Sequence, residues 1–214
     1  MTNISKTNIL VLGGGGQAKV LIDVLLQLPR YNVVGFLDDN EMVGELLGVK
    51  RVGKLTTVDQ TLETKMLALG LGHVGHTEFL KKTVELYTKA GFSFATIVAP
   101  TAVVSKFATL GKGVVIASGA VVQPLAVIGN YSIINTNASV DHDCSVGSFT
   151  HVAPGVAISG DVTIGSDCLI GTGAAVIQGV RITDGCTIGA GTAVVENCLQ
   201  KGTYVGVPAK LLKK

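Results

Sequence analysis

The sequence predicts a small α/β domain over residues 1–97, a parallel β-helix over 98–200 and a C-terminal cap over 201–214. Three observations carry this expectation. Beginning at Val98 and ending at Val194, an aliphatic residue stands at every sixth position without a miss. A second column, two residues ahead of the first and running from Ala108 to Thr192, holds only small or β-branched side chains. Upstream of both, an apolar run enters Gly13-Gly14-Gly15-Gly16 and then an amphipathic stretch. Helices repeat at 3.6 residues and strands at 2, so a period of six fits neither. It fits a parallel β-helix, whose short strands each bury one aliphatic side chain before a corner.

In the first domain, residues 8–12 read as a buried strand. The helix after the glycines carries Val20, Leu21, Val24, Leu25 and Leu28 on one face and stops at Pro29. Residues 32–37 form a second strand ending in Asp38-Asp39. Residues 66–71 form a third, and 76–90 a second helix with Phe79, Leu80, Val84 and Leu86 apolar. Residues 94–98 lead into the repeat. The order is that of a Rossmann-like βαβαβ unit with parallel strands. Gly13-x-Gly15-x-x-Ala18 matches the fingerprint that brings a backbone close to phosphate at a helix N-terminus, and an acidic side chain at the second strand's end suits ribose hydroxyls. Three strands make only half of a dinucleotide fold, so a nucleotide diphosphate is the better ligand than NAD. The competing reading is a tight turn and helix start without a ligand.

In the second domain the two columns share the inward face, since strand residues two apart point the same way. Three hexads close one triangular coil of 18 residues, and the 97 residues of the column make about five coils. Gly, Asn or Asp often follows the aliphatic residue (Gly111, Gly129, Asn135, Asp141, Gly147), which places the strained dihedrals of the corner there. Cys144, Cys168, Cys186 and Cys198 are spaced by 24, 18 and 12, all multiples of six, so all four belong to the small interior column. No CxxC and no Cys/His spacing suggests a metal site, and reduced interior thiols suit the cytoplasm.

Mean hydropathy of +0.51 with 15% charged residues raises the possibility of a membrane protein. The apolar stretch at 114–128 is too short to span a bilayer and keeps the hexad register, so it reads as solenoid core. No signal peptide is apparent at the N-terminus, and a net charge of +2 gives no argument for nucleic acid. Residues 98–214 contain only six acidic side chains, and two of them flank His142. Val140 and Cys144 face inward, so His142 stands at the corner between them. Adjacent carboxylates favour its protonated form and orient the ring, as a general base requires. His151 follows nine residues later, half a coil around.

Asn135-Thr136, Asp141-His142-Asp143-Cys144, His151-Val-Ala-Pro-Gly155 and Gly206-Val-Pro-Ala209-Lys210 resemble the hexapeptide-repeat sugar O-/N-acetyltransferases. This family includes sialic acid O-acetyltransferases and UDP-4-amino-sugar N-acetyltransferases. The resemblance spans the whole chain and implies a left-handed β-helix, a homotrimer with active sites between subunits, and acetyl-CoA as co-substrate without a metal. Carried over by motif, His142 is the general base and Asp143 its orienting partner. His151 donates a hydrogen bond toward the acetyl thioester, and Gly160, Gly206, Pro208 and Lys210 accompany it in binding acetyl-CoA. Lys213 and Lys214 could meet coenzyme A phosphates, or simply form a basic tail. Gly13, Gly15, Gly16, Asp38 and Asp39 hold the nucleotide, and Asn135 supports the acceptor sugar. Many relatives carry a histidine where this chain has Gln17, which can bind a sugar but cannot titrate.

The expected activity is acetyl transfer to a UDP-linked 4-amino-4,6-dideoxy sugar in bacterial glycan synthesis. The alternatives are O-acetylation of sialic acid or a related sugar, and a non-catalytic sugar-nucleotide-binding scaffold. All four thiols face inward, so no acyl-enzyme is expected. Flat sides bearing Ala117, Gly119, Val121, Ala153 and Ala175 are the surfaces expected to pack in a trimer.

Overall fold

The computed structural model describes residues 6–59, 61–62 and 64–212. Lys213 and Lys214 lie outside the described residues. The chain forms two compact units, one of residues 1–72 with 78–100, the other of 73–77 with 101–214. The detour of 73–77 into the second unit has no counterpart in the single boundary expected at 97/98.

The first unit is a six-stranded sheet with two helices. In chain order it has β1 (Thr7–Leu12), α1 (Gly16–Leu26), β2 (Tyr31–Leu37), β3 (Glu45–Leu46), β4 (Val49–Gly53), β5 (Met66–Leu69), α2 (Glu78–Lys89) and β6 (Ser93–Phe94). The sheet order is β3-β4-β2-β1-β5-β6, parallel except for the β3–β4 hairpin. Ile9, Leu10, Val11 and Leu12 are all buried, the pattern of a central parallel strand covered on both faces. The hairpin was not expected. Its turn, Leu47-Gly48, has φ of 50° and 81°, the left-handed pair that a two-residue hairpin loop needs. Both helices sit rotated from their expected faces. α1 buries Ala18, Leu21, Ile22, Val24 and Leu25, while Val20 is exposed. α2 buries Leu80, Thr83, Val84 and Tyr87 and leaves Phe79 and Leu86 exposed. Tyr87 turns inward because its hydroxyl donates to the Leu55 carbonyl at 3.0 Å, which makes an aromatic with a polar tip acceptable in the core.

The second unit is a left-handed parallel β-helix of two-residue strands. Each strand pairs with the one 18 residues on, as in Val121↔Ser139, Ser139↔Ala157 and Ala157↔Ala175. Three parallel sheets result, one per triangular face. The aliphatic column is buried from Ile116 to Val194, and the small column from Val114 to Cys198, with all four cysteines free and at most 2% exposed.

The corners differ from expectation. Left-handed dihedrals fall three residues after the aliphatic, at Gly113, Gly119, Leu125, Tyr131, Asn137, Asp143 and onward at every sixth position. Glycines directly after the aliphatic serve close approach between coils instead. A Cβ on Gly147 would lie 2.4 Å from the carbonyl carbon of Gly165, and one on Gly129 would lie 2.6 Å from that of Gly147. The cap runs antiparallel through Thr203–Val205 and Lys210–Leu211, the first of these continuing the face that holds Thr187–Ile188.

Candidate active site

Val140 closes the strand Ser139–Val140, and the next corner lifts His142 and Asp143 into solvent, their side chains 54% and 50% exposed. Asp143 occupies the left-handed position, φ 60°, where Asp and Asn are tolerated better than other side chains. The His142 backbone N–H donates to Asp141 Oδ1 at 2.9 Å, and the ring Nδ1–H donates to Asp143 Oδ2 at 2.8 Å. That bond leaves the lone pair of the neutral ring on Nε2. It also raises the His142 pKa above its ordinary 6.5, opposed by desolvation and supported by the charges of Asp141, Asp143 and Asp161. Asp161 was not expected here. It stands one coil beyond Asp143, shares its left-handed conformation, and donates its backbone N–H to the His142 carbonyl at 2.9 Å. The signal was a spacing of 18 residues, visible only once the chain is wound.

His151 and Asn135 meet on another face, but not as expected. The His151 Nδ1–H donates to the His73 carbonyl at 3.0 Å, so Nε2 is the acceptor, and it takes a hydrogen bond from Asn135 Nδ2 at 3.0 Å. Asn135 Oδ1 is held by the Thr136 N–H at 2.7 Å, which fixes the amide's orientation. Both ring nitrogens of His151 are thus occupied. Asn135 thus orients His151, and the two residues expected to meet acetyl-CoA and the sugar are bonded to each other in this chain. Burial lowers the pKa of His151 and pulls that of His73 down to about 4, so both rings are neutral at pH 7. Thr77 Oγ1 donates to Asp167 Oδ1 at 2.8 Å, which fastens the far end of the 73–77 segment.

In the first unit, Gly13 has φ +102°, and its N–H donates to the Leu37 carbonyl at 2.8 Å. Gly15 caps α1 with no side-chain hydrogen bond, and the first turn holds no acidic residue. Gly15 and Gly16 have open space where a Cβ would point. Asp38 and Asp39, expected to hold the nucleotide, each accept hydrogen bonds from the chain itself. Asp38 accepts from the Gly14 N–H at 2.5 Å and the Asn40 N–H at 2.8 Å. Asp39 Oδ1 accepts from Thr56 N at 3.1 Å and Oγ1 at 2.8 Å. Gln17 Nε2 is buried with no hydrogen-bond partner among the described residues.

Gly206, Pro208 and Lys210 belong to the cap. The Gly206 carbonyl accepts from Ala193 N–H at 3.1 Å, and Ala209 N–H donates to the Ala193 carbonyl at 2.8 Å. Ala193 pairs over Ala175, which pairs over Ala157 and then Ser139, and the cap adds one rung beyond Ala193, so it sits four coils, roughly 19 Å, above the His142 level. Gly160 lies elsewhere, one coil above His142 and against its ring. Among the described residues no group of His, Cys, Asp or Glu could hold a metal ion, and no helix is long and apolar enough to cross a membrane.

Residues 8–76 match the family described as the PglD N-terminal domain, and 161–196 match the hexapeptide repeat of succinyl-transferase. No curated protein sequence matches the chain. Among solved structures, the acetyltransferase domain of PglB from Neisseria gonorrhoeae FA1090 is 32% identical, with TM-score 0.88 over 97% of this chain and all of that one. The same domain has been solved with acetyl coenzyme A. PerB from Caulobacter crescentus, in complex with CoA and GDP-perosamine, is 32% identical with TM-score 0.87 over 99% of this chain and all of that one. WeeI from Acinetobacter baumannii AYE, 23% identical with TM-score 0.85 over 97% of this chain and all of its own, shares the fold. With this identity along nearly its full length, a PglD-type N-terminal domain and a hexapeptide solenoid bearing an acid-held histidine, the chain belongs to the hexapeptide-repeat sugar acetyltransferase family.

Proposed function

We propose that the protein transfers the acetyl group of acetyl-CoA to the amine of a nucleotide-linked 4-amino-4,6-dideoxy sugar, with His142 as general base and no acyl-enzyme. The observation that carries this is the 2.8 Å bond from His142 Nδ1 to Asp143 at an exposed corner, which leaves Nε2 as the basic atom. The amine nitrogen attacks the thioester carbonyl, Nε2 takes the proton the nitrogen sheds, and the tetrahedral intermediate collapses with loss of the CoA thiolate. Asp143 steadies the imidazolium that forms. The interior thiols cannot compete as nucleophiles: burial holds Cys168 up to about 12 and Cys198 up to about 11, keeping them protonated.

The open N-terminus of α1 supports a diphosphate, and the unpaired buried amide of Gln17 supports a polar sugar or nucleotide group. UDP is the proposed carrier. GDP is the second reading, favoured by the GDP-perosamine bound to PerB. A homotrimer in the cytoplasm of a bacterium completes the proposal, with neighbouring chains contributing to each site. The face built on Val121 and Ala175 suits such packing, whereas Ala117 and Ala153 are buried within the chain and drop out as contact residues.

The test is acetyl-CoA consumption across UDP-, TDP- and GDP-linked amino sugars with sialic acid included, together with sedimentation. His142→Ala is expected to lower turnover by about 100-fold or more. Wild-type turnover in that variant would remove the assigned base, and acetylation of sialic acid alone would shift the acceptor from amine to hydroxyl.

A further inference from the structure

Gly160 follows Ile158 by two residues, as His142 follows Val140, and the two are stacked one coil apart on the same corner. Backbone rungs tie the stack together: Asp143 N–H to the Pro124 carbonyl at 3.2 Å, Asp161 N–H to that of His142 at 2.9 Å, and Gly179 N–H to that of Gly160 at 3.1 Å. The φ of Gly160 is not in the left-handed region, so the backbone does not require glycine there. The imidazole does. A Cβ at 160 would lie 2.5 Å from His142 Cε1, 2.7 Å from Nε2 and 3.1 Å from Nδ1, and these three ring atoms are its nearest neighbours.

We infer that Gly160 is a positioning residue for the base: its bare Cα is the floor on which the His142 ring lies. Contacts of 2.5–3.1 Å are too close for any side chain, so a methyl group must lift or rotate the ring. The ring is held by one side-chain bond, Nδ1 to Asp143, and rotating or tilting the ring away from Gly160 spoils the distance and angle of that bond. The inference rests on His142 being the base. It adds to the expected place of Gly160 beside acetyl-CoA a role in aiming the imidazole.

The test combines a ring titration, a double-mutant cycle and kinetics on the full chain. By NMR, His142 of the wild type should titrate above 6.5. In Gly160→Ala, with the Asp143 bond broken, it should fall back toward the ordinary histidine value. Turnover should drop by about 100-fold, the KM for acetyl-CoA should hold within about twofold, and the acid limb of the pH profile should move to lower pH. Gly160→Ala should also lower the melting temperature, and the same change in a His142→Ala background should not, because the obstructing ring is gone. That background keeps the proposal testable if the single variant fails to fold. A wild-type titration of His142 in Gly160→Ala, equal destabilisation in both backgrounds, or a raised acetyl-CoA KM with unchanged turnover would each overturn it. The titration and the cycle need no substrate, so they stand apart from any failure of the acetyl-transfer assay.

Discussion

His142 draws its chemistry from three carboxylates. Asp143 holds the ring directly, while Asp141 and Asp161 act through charge, and together they raise its pKa. The proposed role as base requires the neutral ring, so activity should climb as pH rises through that raised value. Asp161→Asn removes one charge that favours the imidazolium. The His142 pKa should therefore fall, and the acid limb of kcat/KM should move to lower pH while Nδ1 stays on Asp143; an unmoved limb would exclude Asp161 from the site's electrostatics. His142, Asp141 and Asp143 were legible in the sequence because they interrupt an apolar repeat as adjacent residues. Asp161 was not, since its link to His142 is a rung between coils. His151 was legible as an exception to the repeat, but its partner was not, being the carbonyl of His73, 78 residues away in sequence.

At the scale of elements, the hexad assigned nearly every strand of the solenoid, and the four cysteines with them, because burial of the aliphatic column dictates the register. The corners were harder. Two different demands for glycine alternate along the same turn, one for positive φ and one for close approach of stacked backbones, and composition alone does not separate them. Gly147 belongs to the second kind, with a would-be Cβ 2.4 Å from Gly165. Gly147→Ala should therefore destabilise the solenoid by about 1–3 kcal/mol, read from chemical denaturation. A neutral result would mean that the coils can part locally. In the first unit β1, β2 and β5 were legible, while the β3–β4 hairpin and the helix faces were not: α2 turns by the position of Tyr87, whose hydroxyl bond to Leu55 no periodicity reports.

The whole chain carries a pH response in the buried histidine pair. His73 titrates at about 4 when folded and near its ordinary 6.5 when unfolded. Its contribution to stability is present above 6.5, where neither state is protonated, and is lost as pH falls toward 4, where the unfolded chain takes up the proton first. Melting temperature should drop between pH 7 and 5, and His73→Phe should flatten that difference; an equal drop in the variant would assign it to other groups. The paired two-residue strands have a consequence of a different kind. A repeat of 18 residues behaves like a reading frame, with Ala157 over Ser139 and Ala175 over Ala157 at every step. Removing residues 163–180 deletes one frame: every later side chain keeps its compass direction, and the column between His142 and the cap shortens by roughly 4.8 Å. Removing 163–168 shifts the frame by a third, turning the cap and all the coils before it onto a different face. Relatives with longer or shorter solenoids should therefore differ in length by whole coils, not by hexads.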